Sequence, residues 1–300
     1  MKNLYGGIEA GGTKFVCIVG SDPDHIVAET RFPTTTPDET IQQVIDFFLP
    51  YVERGELAAL GIAAFGPVDL NAASPTYGYI TTTPKPGWQQ TDLRGRIQKA
   101  LNIPVAFDTD VNAAAFGEHY WTAANRNLDP LIYMTIGTGI GAGVFANGAA
   151  IHGLVHPEMG HVYLRHNWDE DSFPGVCPYH GDCFEGLASG TAMYERWGQP
   201  AETLLRDHPA WDLEAGYIAF ALVNLIANYS PQRIILGGGV SQNPGIYEAV
   251  RRKVIEYNCG YIQSSMLTDH MDEYIVPPTL GNRSGGLGAI ALAIDLVENG

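Results

Sequence analysis

The sequence predicts an α/β protein of two lobes flanking a cleft, and three observations carry that expectation. Short apolar strand patterns alternate with amphipathic helix patterns along the chain. A unit of strand, glycine turn and strand occurs near residue 11 and again near residue 139, so two halves begin alike. Glycine-rich turns follow apolar strands at three places, and open α/β sheets gather their ligand-facing loops at such strand ends.

Taken in order, Leu4–Glu9 and Lys14–Gly20 read as strands joined by the hairpin turn Ala10-Gly11-Gly12-Thr13. Val27–Phe32 is a third strand. Pro37-Asp38-Glu39-Thr40 opens a helix through Phe48, with Ile41, Val44, Ile45 and Phe48 on one face. Ala58–Ala64 has the continuous apolar run of a buried strand and ends at Phe65-Gly66-Pro67-Val68-Asp69. A helix over Leu93–Leu101, a strand over Val105–Phe107 and a helix over Val111–Trp121 complete the first half.

The second half starts with a strand over Leu131–Ile136, the turn Gly137-Thr138-Gly139-Ile140-Gly141 and a strand over Ala142–Ala146. Gly148 to Gly186 reads as irregular. Helices follow over Ser189–Trp197, Glu214–Tyr229 and Tyr247–Tyr257. A short strand over Arg233–Leu236 ends in Gly237-Gly238-Gly239, and a late strand covers Glu273–Val276. Gly286–Glu298 is a closing apolar helix. The expected lobes are residues 1–118 and 119–285, the second carrying an irregular loop over 156–186, with the closing helix returning to the first lobe.

Composition narrows the function classes. The 300 residues carry a formal charge of −16, from 17 Lys and Arg against 33 Asp and Glu. Such a field repels nucleic acid and anionic membranes, and no basic cluster offsets it. No segment reaches the roughly 20 apolar residues of a bilayer span. The start Met1-Lys2-Asn3-Leu4 shows no leader, so a cytoplasmic protein is expected. The same negative field would repel a nucleoside triphosphate, so a phosphate site here must work locally, through backbone amides, a few cations and a divalent metal.

The glycine turns are suited to that. In Glu9-Ala10-Gly11-Gly12-Thr13-Lys14 the adjacent glycines let successive amides form an anion-binding nest beside the Thr13 hydroxyl and Lys14 ammonium. It is not a Walker A loop, because Gly12 stands where that motif needs lysine. It also lacks the following helix of a dinucleotide fingerprint. Glu9 is placed either to hold a hydrated Mg²⁺ or to pair with Lys14. One polyphosphate held across both lobes would explain all three glycine turns together.

Two acids, Asp108 and Asp110, lie between a strand end and a helix start in Phe107-Asp108-Thr109-Asp110-Val111-Asn112. Asp110 is a candidate general base and also a candidate helix N-cap. Asn112 suits a sugar hydroxyl or a cap. Glu118, two turns further on, reads as a supporting or solvated residue, and His152 and His156 read as structural.

His161, Cys177, His180 and Cys183 follow the spacing His-x15-Cys-x2-His-x2-Cys. Four nitrogen and sulfur donors match a tetrahedral structural Zn²⁺ and leave no open position for a catalytic water. The alternatives are incidental residues or a Cys177–Cys183 disulfide, which a reducing cytosol disfavours. Cys17 and Cys259 offer no paired framework. Glu158 and Glu185 flank the quartet, so a metal clamp there would orient two carboxylates, either towards a polyol or as partners of a zinc histidine.

Together these residues resemble the ROK family (repressors, open reading frames and sugar kinases), specifically its fructokinase branch, from Gly6 to about Gly288. Glu9-Ala-Gly-Gly-Thr-Lys14 and Ile136-Gly-Thr-Gly-Ile-Gly141 resemble its two phosphate motifs. Phe65-Gly-Pro-Val-Asp69, with Gly66 and Pro67, looks like a sugar-side loop. Asp110-Val-Asn-Ala-Ala-Ala-Phe-Gly-Glu118 resembles the catalytic segment. His156-Pro-Glu-Met-Gly-His161 and Cys177-Pro-Tyr-His-Gly-Asp-Cys-Phe-Glu-Gly186 resemble its sugar-and-zinc signature. Gly237-Gly238-Gly239 is similar to its adenosine-side turn.

The resemblance implies a two-lobed actin-like ATPase (ribonuclease H-like) fold and phosphorylation of a hexose by ATP with Mg²⁺. Asp110 would be the base. Asn112, Glu158, His161 and Glu185 would position the sugar. Glu9, Gly11–Lys14, Thr135, Gly137–Gly139, Thr191 and Gly237–Gly239 would serve the nucleotide side. Zn²⁺ would be structural and the protein a homodimer. Glu9 stands where much of the family has Asp, and His180 where much of it has an extra Cys. Both departures look like the fructokinase branch, which favours fructose over glucose, mannose or an N-acetylhexosamine. No helix-turn-helix precedes the first motif, which favours an enzyme over a repressor, and the intact Asp110 argues against a non-catalytic sugar sensor.

Overall fold

In the computed structural model, residues 3–300 are described. The opening strands β1 (Leu4–Ala10), β2 (Lys14–Asp22) and β3 (His25–Pro33) pair antiparallel. Helix α1 (Pro37–Glu53) is set by Thr36, whose side chain accepts the Glu39 N–H, by Pro37 in the first turn and by Asp38 and Glu39 beside it. There follow β4 (Leu57–Ala64), the short pair β5 (Tyr79–Ile80) and β6 (Thr91–Asp92), helix α2 (Leu93–Leu101), β7 (Val105–Thr109) and helix α3 (Asp110–Trp121). The sheet order is β3-β2-β1-β4-β7, with β4 and β7 parallel to β1.

The second half contributes β8 (Leu131–Ile136), β9 (Ile140–Ala146), β10 (Ala149–Ala150), helices α4 (Phe184–Ala188), α5 (Gly190–Trp197) and α6 (Ala210–Tyr229), β11 (Arg233–Gly237), α7 (Ile246–Asn258), α8 (Ser265–Thr268), α9 (Met271–Tyr274), β12 (Ile275–Val276) and α10 (Ser284–Asn299). Its sheet order is β10-β9-β8-β11-β12. The late strand is shorter than expected, because Glu273 and Tyr274 belong to the helical turn Met271–Tyr274 and Ile275 and Val276 alone pair with β11. Two compact units result. One holds the chain through Asn127 with Gly143–Pro157 and Thr279–Gly300; the other holds Leu128–Ala142 and Glu158–Pro278.

Strand alternation decides how the first sheet is covered. Phe15, Cys17 and Val19 of β2 pack in one cluster with Ile41, Val44 and Phe48 of α1 and Leu93 and Ile97 of α2. Val16 and Ile18 point the other way, into a cluster with Leu287, Ile290 and Ile294 of α10. Fully burying a side chain such as Phe48 contributes roughly 1.5–3 kcal/mol. Helix α10 lies so close to α3 that a Cβ on Gly288 would sit 1.9 Å from the Ala113 carbonyl oxygen. Its start is held by the buried Glu118 carboxylate, which accepts the Leu280 N–H at 2.9 Å and the Ser284 hydroxyl at 3.0 Å. Glu118 therefore supports the fold.

One expectation from the apolar pattern needs correction. Helix α6 is 20 residues long and apolar enough by composition to be weighed as a membrane span. It contains Asp212 and the buried Glu214, and 61% of its apolar window is buried inside the protein, as in a core helix.

Candidate active site

Strand register brings the first acidic groups together. Glu9 is level with Ala63, and Ala63 with Asp108; Ala10, Ala64 and Thr109 are matched one step further on. The carboxyl ends of β1, β4 and β7 thus finish along one edge, where parallel sheets bind ligands. Asp110 is the first residue past that edge. Thr109, and not Asp110, caps α3, accepting the Asn112 N–H at 3.1 Å. With the Thr109 hydroxyl satisfying the helix end, Asp110 is released for other work.

Asp110 Oδ1 accepts the Val111 N–H at 2.9 Å. Burial of the carboxyl, and then the neighbouring Glu9 charge, raise it to about 7. Burial also raises Glu9, opposed by Lys14 and by a hydrogen bond from the Gly286 backbone. Lys14 is exposed at the start of β2. The Gly11 turn is tight, with the Gly11 N–H donating to the Lys14 carbonyl at 3.0 Å and the Thr34 hydroxyl to the Gly11 carbonyl at 2.6 Å. Gly12 faces open space, and Thr13 is exposed.

Asn112 is 1% exposed, and its side-chain amide donates to Asp108 Oδ1 at 2.8 Å. It neither caps the helix nor presents that amide outward. Asp108 also accepts the Thr109 N–H at 2.7 Å and, through Oδ2, faces His152 Nε2 at 2.9 Å. That hydrogen bond raises the His152 imidazole above its usual value. Burial lowers His156, whose Nε2 accepts the Val68 N–H at 3.1 Å and so ties down the loop of Gly66 and Pro67. Thr81 reinforces this loop through its N–H to the Pro67 carbonyl at 2.8 Å.

In the second unit, the parallel pairing of β8 and β11 sets Thr135 beside Gly237. The turn after β8 closes by a hydrogen bond from the Gly137 N–H to the Gly139 carbonyl at 2.9 Å. The start of α5 is bound to the same turn, by the Gly190 N–H to the Gly137 carbonyl at 2.7 Å and by the Thr191 hydroxyl to the Thr138 carbonyl at 2.8 Å. Gly238 has φ +90°, and a Cβ on it would lie 2.3 Å from the Ile136 carbonyl oxygen, so glycine is required there. Thr135, Gly137–Gly139, Thr191 and Gly237–Gly239 therefore form one neighbourhood.

The donor atoms of His161, Cys177, His180 and Cys183 all lie within 4.8 Å of one another. Cys177 Sγ is 3.6 Å from both His161 Nδ1 and His180 Nδ1, and Cys183 Sγ is 3.6 Å from His161 Nδ1. A tetrahedron with ordinary Zn–S and Zn–N bonds has S···N edges of about 3.5 Å. The quartet fits zinc. Backbone pairing of Cys177 with Gly181 and of Tyr163 with Cys183 preforms it, and the cysteines are free thiols.

Glu185 sits on α4, a helical turn inside the stretch that reads as irregular. Its Oε2 accepts the Ile140 N–H at 2.9 Å, and its Oε1 lies 3.9 Å from His161 Nε2. A Cβ on Gly139 would meet Oε2 at 2.7 Å. Glu158 is exposed and opens the short turn Met159–His161. Sequence reasoning missed Asp108 and His152 as a linked pair; the acid at the β7 end was its available signal.

The chain matches the family described as ROK family over residues 5–296. It is 48% identical to a Bacillus subtilis (strain 168) protein provisionally named fructokinase, covering 97% of this chain and 95% of that one. It is 43% identical to a fructokinase of Lactococcus lactis subsp. cremoris, with 99% of each covered. Among solved structures, the ROK hexokinase of Thermus thermophilus superposes with a TM-score of 0.77 at 27% identity, over 99% of this chain and 100% of that one.

Proposed function

The chain belongs to the ROK family, and we propose that it is an ATP-dependent fructokinase, transferring the γ-phosphoryl group of ATP to the 6-hydroxyl of D-fructose. The observation that carries the chemistry is the Asp110 carboxyl, raised to about 7 at the shared carboxyl end of β1, β4 and β7. A base of that strength is half ionised near neutrality and can accept a hydroxyl proton as the transfer proceeds.

Asp110 takes the proton from the 6-hydroxyl as the sugar oxygen bonds to the γ-phosphorus and the bond to the β-phosphate oxygen breaks. ADP leaves with the electron pair of that bond. Gly11, Gly12, Thr13 and Lys14 offer backbone, hydroxyl and ammonium donors to the phosphates. Gly137–Gly139 do the same by backbone, with Thr135, Thr191 and Gly237–Gly239 on the nucleoside side. Gly66, Pro67, Glu158, His161 and Glu185 position the hexose, and Asn112 acts through Asp108.

Two metals fit this reading. The Glu9 carboxylate beside Asp110 would hold Mg²⁺ bound with ATP, which would offset phosphate charge. His161, Cys177, His180 and Cys183 would hold Zn²⁺, which would cross-link the segment bearing Glu185. Reduced thiols and ATP use suit the cytoplasm, and a homodimer is the assembly proposed. A coupled ADP-release assay over a hexose panel tests the function. Fructose should give the highest kcat/KM, and turnover confined to glucose, mannose or an N-acetylhexosamine would reassign the substrate.

A further inference from the structure

Beside the base Asp110, the polar groups around the end of β7 and the segment 151–157 differ in how fully the protein engages them. Asp108 and Asn112 are 4% and 1% exposed, and His156 is 5% exposed. His152 differs, because its side chain is 43% exposed although its Nε2 is fixed on the buried Asp108. No hydrogen-bond partner occurs at its Nδ1 among the described residues. A carboxylate can only accept, so Asp108 selects the form of the ring with a proton on Nε2. This leaves Nδ1 directed away from Asp108 as an acceptor, or as a donor when the ring is charged.

The surroundings say what such a nitrogen could meet. His152 is held two residues in sequence from Asp110, through Asp108, and shares the segment 151–157 with His156. His156 in turn fixes Val68, next to Gly66 and Pro67. Three pieces of the first unit, the loop after β4, the β7–α3 junction and the segment 151–157, are thereby joined by two histidines. One histidine is buried and finished; the other keeps a free polar atom. A histidine serving as a simple brace gains nothing from partial exposure, since solvent weakens its ion pair.

We propose that His152 is a further sugar-binding residue, an imidazole oriented by Asp108 so that Nδ1 hydrogen-bonds a hydroxyl of the hexose. Asp108 is then a positioning residue that fixes His152 and Asn112 at once. A hydroxyl suits either state of the ring, because it can donate to a neutral Nδ1 or accept from a charged one. The inference rests on the fructokinase reading and adds to it a group that reads the substrate.

The test is steady-state kinetics on the full-length wild-type, His152→Ala and His152→Gln proteins, with fructose, the set of monodeoxyfructoses, and ATP. His152→Ala should raise KM for fructose about tenfold, the loss of one substrate hydrogen bond, and leave KM for ATP within about twofold. One monodeoxyfructose should bind wild type more weakly and show no further loss in His152→Ala, which a purely structural role would not produce. His152→Gln keeps a donor towards Asp108 and should recover part of the fructose affinity; it also carries the test if the alanine variant does not fold. Unchanged KM for fructose in the variants, or identical deoxy-sugar penalties in wild type and variants, would overturn the role of His152. Absence of fructose phosphorylation by wild type would overturn the function itself.

Discussion

Glu185 accepts the Ile140 backbone N–H at 2.9 Å through one carboxylate oxygen and holds the other 3.9 Å from His161 Nε2. One side chain thus joins the glycine turn after β8 to the cysteine–histidine quartet. A Cβ on Gly139 would meet Glu185 Oε2 at 2.7 Å, so a side chain there would displace this carboxylate.

Removal of this carboxylate should affect more than one substrate. Glu185→Ala is expected to lower kcat/KM for fructose by at least about tenfold, from a lost charge-assisted hydrogen bond, with a smaller rise in KM for ATP. Glu185→Gln, which keeps an acceptor for Ile140, should restore the ATP term first. Steady-state kinetics on both substrates checks this, and equal losses in the two variants would show that the link to Ile140 is unimportant.

Activity should rise with pH through the titration of Asp110. With its carboxyl at about 7, kcat/KM for fructose should be half-maximal near that pH and fall about tenfold per unit below it. Asp110→Asn should lose about 10²–10⁴ in kcat and abolish this limb of the profile. A variant that retained near-wild-type turnover with its fold intact would remove Asp110 from the role of base.

The same carboxyl should cost stability. In the unfolded chain it titrates at about 3.9, and in the folded protein at about 7. The folded state therefore holds the proton more tightly, and stability declines as pH rises between those values. Asp110→Asn removes that charge and should stabilise the ligand-free protein at pH 8 by on the order of 1–3 kcal/mol, with the gain shrinking towards zero below about pH 4. Denaturant midpoints at several pH values measure it.

Metal analysis should find about one zinc per chain, following the four-donor count. Chelation should lower the melting temperature and reduce kcat/KM for fructose more than that for ATP, because the quartet holds the segment of Glu185. Cys177→Ser should reproduce both effects. Full activity and an unchanged melting temperature in the zinc-free protein would show that the clamp is dispensable.

Much of the architecture was legible because it is local. The opening hairpin, the buried run of β4 and the helix faces of α1 and α10 follow from periodicity and turn chemistry. The gathering of the cysteine–histidine quartet was legible from spacing, since three of its donors lie within one short knuckle. Helix α4 was hidden by its length of 5 residues, too short for a periodic signal. The choice of Thr109 over Asp110 as the cap was equally hidden, because both residue types cap well and packing selects between them.

The sequence by itself determined the residue chemistry: a strand-end aspartate, glycine turns able to face phosphate, and four donors at zinc spacing. Tertiary structure decided which groups are free to use that chemistry. Register across β1, β4 and β7 puts Glu9 near Asp110 and raises its carboxyl, a shift that depends on burial and on a charge distant in the chain. Folding also occupies Asn112 with Asp108 and brings His152 to Asp108 across 44 residues. Such pairings are set by the packing of whole elements, and no local pattern encodes them.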